Sequence, residues 1–121
     1  MAIDTCILIV EDDEPTQNLL QAVLRRFGYS TELASNGAEA IGLLKQKAYA
    51  AVVLDLMMPA VSGRDVIDFL SAGVTPTPVV ICSAAGPAAL AGLDPNVVKA
   101  VVRKPFDIDE LVETVKAATG G

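Results

Sequence analysis

No histidine and no tryptophan occur in the 121 residues, and aromatic side chains make up only 4% of them. The missing histidine excludes the most chemistry, because it removes Ser-His-Asp triads, histidine metal sites and imidazole general bases together. If phosphohistidine concerns this chain, another protein must carry it. Cysteine is almost as scarce. Cys6 and Cys82 both fall within apolar strand-like runs and read as small buried hydrophobes, which fits a reducing compartment. Although 52% of the chain is hydrophobic, no uninterrupted apolar run reaches the roughly 20 residues of a membrane helix. The start, MAIDTC, lacks the basic residues of a signal peptide. The expectation is a soluble, cytoplasmic protein with no membrane insertion. Positive charge is also short: nine Lys and Arg stand against fifteen Asp and Glu, for a net charge of −6. No basic stripe is present, which argues against direct nucleic-acid binding.

What remains is a length suited to one domain, expected to cover residues 1–121 and to bury roughly two thirds of its unfolded surface. Short apolar runs rich in Val and Ile recur at CILIV (6–10), AAVVLD (50–55), PVVICS (78–83) and VVKAVVRK (97–104). Such runs suit parallel strands covered on both faces, whereas STELA (30–34) alternates in polarity and reads as an edge. Helical spacing fills the gaps. Leu20, Val23, Leu24 and Phe27 follow Pro15, a good first-turn residue, and Gly28 ends that helix. Asn36 can cap a second helix and Ser62 a third, which Gly73 closes, while Asp107 and Glu110 have capping-box spacing before the last. The fourth helix is weak, because AAGPAALAGLDPN (84–96) carries two Gly and two Pro. Alternating strands and helices of this length predict a doubly wound α/β sheet with right-handed crossovers.

One residue conflicts with a purely structural reading of these runs. In VVLDLMMP (52–59) Asp55 stands alone among apolar neighbours, and an ionised carboxylate withdrawn from water requires a counter-charge or a shifted pKa. In a doubly wound sheet the site lies beyond the carboxyl ends of the strands. There the first strand ends in Glu11, Asp12, Asp13 and Glu14, the third in Asp55, the fourth in Ser83 and the fifth in Lys104. Alone, each has a bland account: EDDE as charge at a helix N-terminus, Ser83 as a strand-end hydroxyl, Lys104 as a solvated loop lysine. Together they make a set. Carboxylates from neighbouring strand ends suit a hard divalent cation, Mg²⁺ or Mn²⁺, and a lysine with a hydroxyl adds what phosphoryl transfer requires. Asp55 is the candidate nucleophile, since carboxylates form acyl phosphates.

LIVEDD (8–13), VVLDLMMP (52–59), PVVICSA (78–84) and RKPF (103–106) together resemble the receiver domains of two-component response regulators across essentially the whole chain, in particular the chemotaxis-type single-domain receiver. The resemblance implies a flavodoxin-like five-stranded parallel sheet of order 2-1-3-4-5, with about five helices and a short or irregular fourth. Asp55 would be the phosphorylation site, with Ser83 and Lys104 on the phosphoryl group. Asp12, Asp55 and the Met57 backbone carbonyl would bind Mg²⁺, and Glu11 would act through water. Asp13 falls one place too late to belong to the acid pair. The Lys104–Pro105 peptide would be cis. Partners would be a histidine kinase or histidine phosphotransfer protein and a possible downstream protein target. Chemistry would be limited to Mg²⁺-dependent self-phosphorylation from a phosphodonor and autodephosphorylation.

Two features depart from the pattern. The switch aromatic three residues before the lysine is Val101, and the broken fourth helix puts the usual output face in doubt; altered coupling through that face is expected. Rival readings are weaker. A nucleotide- or flavin-binding module would not place EDDEP where phosphate must be cradled, and a haloacid-dehalogenase-type phosphatase wants an Asp at Met57. A receiver-shaped interaction module that is never phosphorylated is the remaining alternative. The topology also sets Cys6 and Cys82 on strands separated by a third, roughly 9 to 10 Å apart and beyond the ~7 Å limit of a disulfide.

Overall fold

In the computed structural model, which describes residues 6–58, 63–73 and 77–120, strands and helices alternate. They are β1 (Cys6–Val10), α1 (Glu14–Arg26), β2 (Ser30–Ala34), α2 (Gly37–Gln46), β3 (Ala51–Leu54), α3 (Gly63–Ser71), β4 (Val79–Ser83), α4 (Pro87–Leu90), β5 (Val98–Arg103) and α5 (Ile108–Thr119). The five strands form one parallel sheet in the order β2-β1-β3-β4-β5. This is the expected flavodoxin-like architecture.

Local signals account for the helix ends. The Asp13 carboxylate caps α1 by accepting from the Thr16 amide, and Gly28 closes the helix at φ +97 with its N–H on the Arg25 carbonyl. Asn36 accepts from the Glu39 amide at the start of α2. Asp107 accepts from the amides of Asp109 and Glu110 at the start of α5, but among the described residues Glu110 makes no return bond, so half of the anticipated box forms. The Ser62 cap expected for α3 lies outside the described residues; Gly73 closes that helix, its N–H on the Leu70 carbonyl.

Side chains alternate across the sheet with period two, as the pleat demands. Cys6, Leu8, Val10, Val52, Leu54, Val79 and Ile81 pack on one face with Ala40 of α2 and Val66, Ile67 and Leu70 of α3. Ile7, Ile9, Val53, Val80 and Cys82 pack on the other, with Leu20 and Leu24 of α1 and Leu111, Val112 and Val115 of α5. The two cysteines therefore lie on opposite faces as well as on strands separated by β3, and neither is joined in a disulfide among the described residues. Burial, opposed in part by the Lys104 charge, pushes the Cys82 thiol up to about 11.

The fifth strand corrects the expectation of cover on both faces. Lys99, Val101 and Arg103 alternate outward, and Val101 is 40% exposed although it pairs with buried Ile81. The cause is α4, a single turn in which no residue is buried, so this border of the sheet stays open.

Candidate functional site

The hydrogen-bond ladder continues one residue past three strands and delivers the polar groups to one edge. Glu11 N–H donates to the Ala34 carbonyl, Asp55 N–H to Val10 and Lys104 N–H to Ser83, each at 3.0 Å. Adjacent strands β1, β3, β4 and β5 thereby present Glu11, Asp55, Ser83 and Lys104 side by side. The Lys104–Pro105 peptide is cis.

Asp55, only 6% exposed, has a partner for each carboxylate oxygen. Oδ1 accepts from the Ser83 hydroxyl at 2.7 Å and from the Met57 amide at 3.0 Å, and Oδ2 lies 3.3 Å from Lys104 Nζ. Ser83 Oγ in turn accepts from the Ala85 amide. Lys104 also holds Glu11 Oε1 at 2.6 Å, while Glu11 Oε2 accepts from the Asp13 amide. The lone acid of the apolar strand is thus answered by a hydroxyl, a backbone amide and an ammonium.

Burial is the largest influence on Glu11 and raises its pKa despite the bond from Lys104. Burial also works against the Lys104 charge, but the hydrogen bond it donates to Glu11 and the charge of Asp55 outweigh it, so the lysine titrates above its ordinary range. The ammonium is held firmly in its charged form.

Glu11, Asp12 and Asp55 bring one carboxylate oxygen each within 4.8 Å of the others. Glu11 and Asp55 are buried, and Asp12 is exposed at the open side. Among the described residues Asp12 has no hydrogen bond or ion pair, so its carboxylate is available to a ligand. An all-oxygen donor set with more carboxylates than cations, open to water on one side, fits a hard divalent ion such as Mg²⁺. Asp13 stands outside this group as the cap of α1, as its register implied.

Two contributors are not evident in the motifs. Gln17 is buried on α1 and donates to the Glu11 carbonyl at 2.6 Å and to Ser35 Oγ at 3.2 Å. Its signal is positional: it shares the inward stripe of α1 with Leu20 and Leu24, where a polar side chain must find a buried partner. Gly63 begins α3 against the strand end, where a Cβ would meet the Asp55 carbonyl oxygen and Leu56 Cα at 2.8 Å. Its signal is weaker, since a glycine after an apolar strand has many uses.

Comparison with known proteins agrees with this geometry. The response regulator receiver domain profile matches residues 7–116. The uncharacterized transcriptional regulatory protein YkoG of Bacillus subtilis is 38% identical over 114 residues, covering 93% of this chain and 50% of that protein. The chain spans about half the length of the curated relatives it matches. Among solved structures, response regulator TrrA of Thermotoga maritima, in complex with Mg²⁺–BeF, superposes with a TM-score of 0.85 at 30% identity, covering 94% of this chain and 98% of that one. The receiver domain of sensor histidine kinase PA1611 of Pseudomonas aeruginosa, with magnesium coordinated in its active-site cleft, gives 0.84 at 25% identity, covering 98% of this chain and all of that one (100%). Family profile, relatives and strand-end site agree, and the chain belongs to the response regulator receiver domain family.

Proposed function

We propose that this chain is the phosphoacceptor of a two-component phosphorelay, receiving a phosphoryl group on Asp55 from the phosphohistidine of a histidine kinase or phosphotransfer protein. The observation that carries the reading is the Asp55 carboxylate held between the Ser83 hydroxyl and the Lys104 ammonium beside the Glu11–Asp12 pair. A carboxylate oxygen of Asp55 attacks phosphorus, the P–N bond to the donor imidazole breaks, and the phosphoryl group passes to Asp55 as an acyl phosphate. Water later attacks the phosphorus, the bond to Asp55 breaks, and inorganic phosphate leaves as the carboxylate is restored. Lys104 Nζ and Ser83 Oγ already lie within reach of the Asp55 oxygens and would contact the transferred phosphoryl oxygens. Asp12, Asp55 and the Met57 carbonyl would hold Mg²⁺ or Mn²⁺, with Glu11 acting through water. When bound, the cation neutralises charge on the phosphoryl oxygens. No other substrate is implied: self-phosphorylation and autodephosphorylation are the chemistry, in the cytoplasm where kinase domains phosphorylate receivers.

The donor must approach along a surface continuous with this edge. Thr16, Leu19, Lys104, Pro105, Phe106 and Ile108 line a groove of about 290 Å³. Ile108 also borders a second hollow that runs along α1 to Val23 and Phe27. Leu19, Phe27 and Ile108 are 46%, 43% and 45% exposed, so this is an apolar strip leading to Lys104. We assign it to the helix of the phosphodonor. Output through the opposite border is altered, because α4 is one turn and Val101 replaces the aromatic switch.

Acetyl phosphate with Mg²⁺, followed by intact mass measurement, tests the proposal. One added phosphoryl mass, absent in Asp55→Asn, is expected. No added mass from any phosphodonor would leave an unphosphorylated interaction module.

A further inference from the structure

The site as proposed leaves Gln17 without a role, although it is one of four buried polar side chains identified among the described residues and the other three, Glu11, Asp55 and Ser83, all belong to the site. Its amide nitrogen donates to the Glu11 carbonyl oxygen at 2.6 Å. That oxygen belongs to the peptide unit joining Glu11 to Asp12, so the bond fixes the plane from which the Asp12 side chain departs. The neighbouring backbone is tied as well. Glu11 N–H is held by Ala34, Asp13 N–H by the Glu11 carboxylate, and the Asp13 carbonyl accepts from Gln17 N–H. Gln17 thus grips the acid loop through both its side chain and its main chain. Asp12 itself is exposed and, among the described residues, unpaired, so nothing local restrains its carboxylate except the peptide behind it.

We infer that Gln17 is a positioning residue for the divalent-cation site, holding the Glu11–Asp12 peptide so that the Asp12 carboxylate converges on Asp55. The inference rests on the metal-dependent reading of the site. Groups that orient ligands in this way typically influence metal affinity by roughly 10- to 100-fold. The second bond, to Ser35 Oγ at 3.2 Å, provides an internal control, because it ties α1 to the end of β2 without touching the acid pair.

Mn²⁺ affinity, measured by electron paramagnetic resonance on the unphosphorylated protein, tests this without relying on turnover. Gln17→Met keeps the length and removes the donor; its affinity is expected to fall roughly tenfold or more. Ser35→Ala leaves the carbonyl bond in place and is expected to bind within about twofold of wild type, a margin well below that range. Phosphorylation by acetyl phosphate at saturating metal should recover most of the wild-type rate in Gln17→Met, since the defect lies in metal capture. Should Gln17→Met fail to fold by circular dichroism, Gln17→Asn, which retracts the amide by one methylene, carries the same expectation. Unchanged affinity in the Gln17 variant, or an equal loss in Ser35→Ala, overturns the inference. Wild-type protein that binds no Mn²⁺ overturns the metal-dependent reading itself, and the inference with it.

Discussion

Ser83 Oγ donates to Asp55 Oδ1 at 2.7 Å, and both side chains are buried at the ends of neighbouring strands. The hydroxyl therefore stands beside the proposed phosphoacceptor oxygen, oriented by the Ala85 amide that it accepts from. A hydrogen bond to a charged group is worth about 1.5–3 kcal/mol, or roughly a ten- to hundredfold change in rate when it acts on the transition state. Ser83→Ala is expected to slow phosphorylation by acetyl phosphate within that range, and Ser83→Thr to retain most of the rate. Time-resolved mass measurement decides between them. An unchanged rate in the alanine variant would show that the hydroxyl serves only the folded carboxylate.

Because three acidic groups converge on one edge, a divalent cation should bind the native state and stabilise it. Binding confined to the native state adds about 2.7 kcal/mol at a hundredfold excess over the dissociation constant. Mg²⁺ is expected to raise the melting temperature of wild type in this concentration-dependent way. Asp12→Asn should lose the response while the metal-free protein melts close to wild type, because Asp12 is exposed and none of its contacts among the described residues is broken. Equal stabilisation of the variant would place the ion elsewhere.

The buried strands were legible because parallel strands covered on both faces need unbroken apolar runs, and CILIV, AVVL and VVICS supply them, whereas their order in the sheet was legible only through the family resemblance. The site was legible for a related reason: polar residues that interrupt or end such runs have few places to go, and Asp55 is the clearest case. Gln17 escaped because its partner is a backbone carbonyl, which carries no residue identity. Gly63 escaped because its constraint comes from a strand end brought against it only in the folded chain. The exposure of β5 depends on how little α4 covers, a tertiary outcome that Gly86, Pro87, Gly92 and Pro95 hinted at through helix breaking alone.

At the other end of the sheet, Glu32 on β2 accepts from Lys47 Nζ and from the Tyr49 hydroxyl, each at 2.6 Å. The Lys47 bond above all, then that of Tyr49, holds the Glu32 carboxyl below the ordinary glutamate range. A lowered folded pKa means stability that is present above the unfolded value and is lost as pH falls through the folded one. Both partners of the ion pair are more than a third exposed, at 44% and 37%, so the contribution is about 0.2–1 kcal/mol. Urea midpoints should place wild type above Glu32→Gln by that amount at neutral pH, with the gap closing below about pH 4. A gap that persists in acid would mean the carboxylate charge contributes nothing.

If the apolar strip along α1 and the start of α5 seats the phosphodonor as proposed, it should distinguish two routes of phosphorylation. On that proposal a small phosphodonor needs only the polar groups around Asp55, whereas a protein donor would also rest on Leu19 and Ile108, both exposed and both lining the groove that ends at Lys104. Leu19→Glu or Ile108→Asp puts a charge where the partner would bury apolar surface, and a central interface residue of this kind costs more than about 1 kcal/mol. Transfer from any histidine kinase or phosphotransfer protein that phosphorylates the wild type should therefore lose roughly fivefold or more in kcat/KM. The acetyl phosphate rate should stay within about twofold, because neither side chain is among the site's hydrogen-bond partners. Equal loss with both donors would trace the effect to the Lys104 loop, and no loss with the protein donor would move the docking surface off α1.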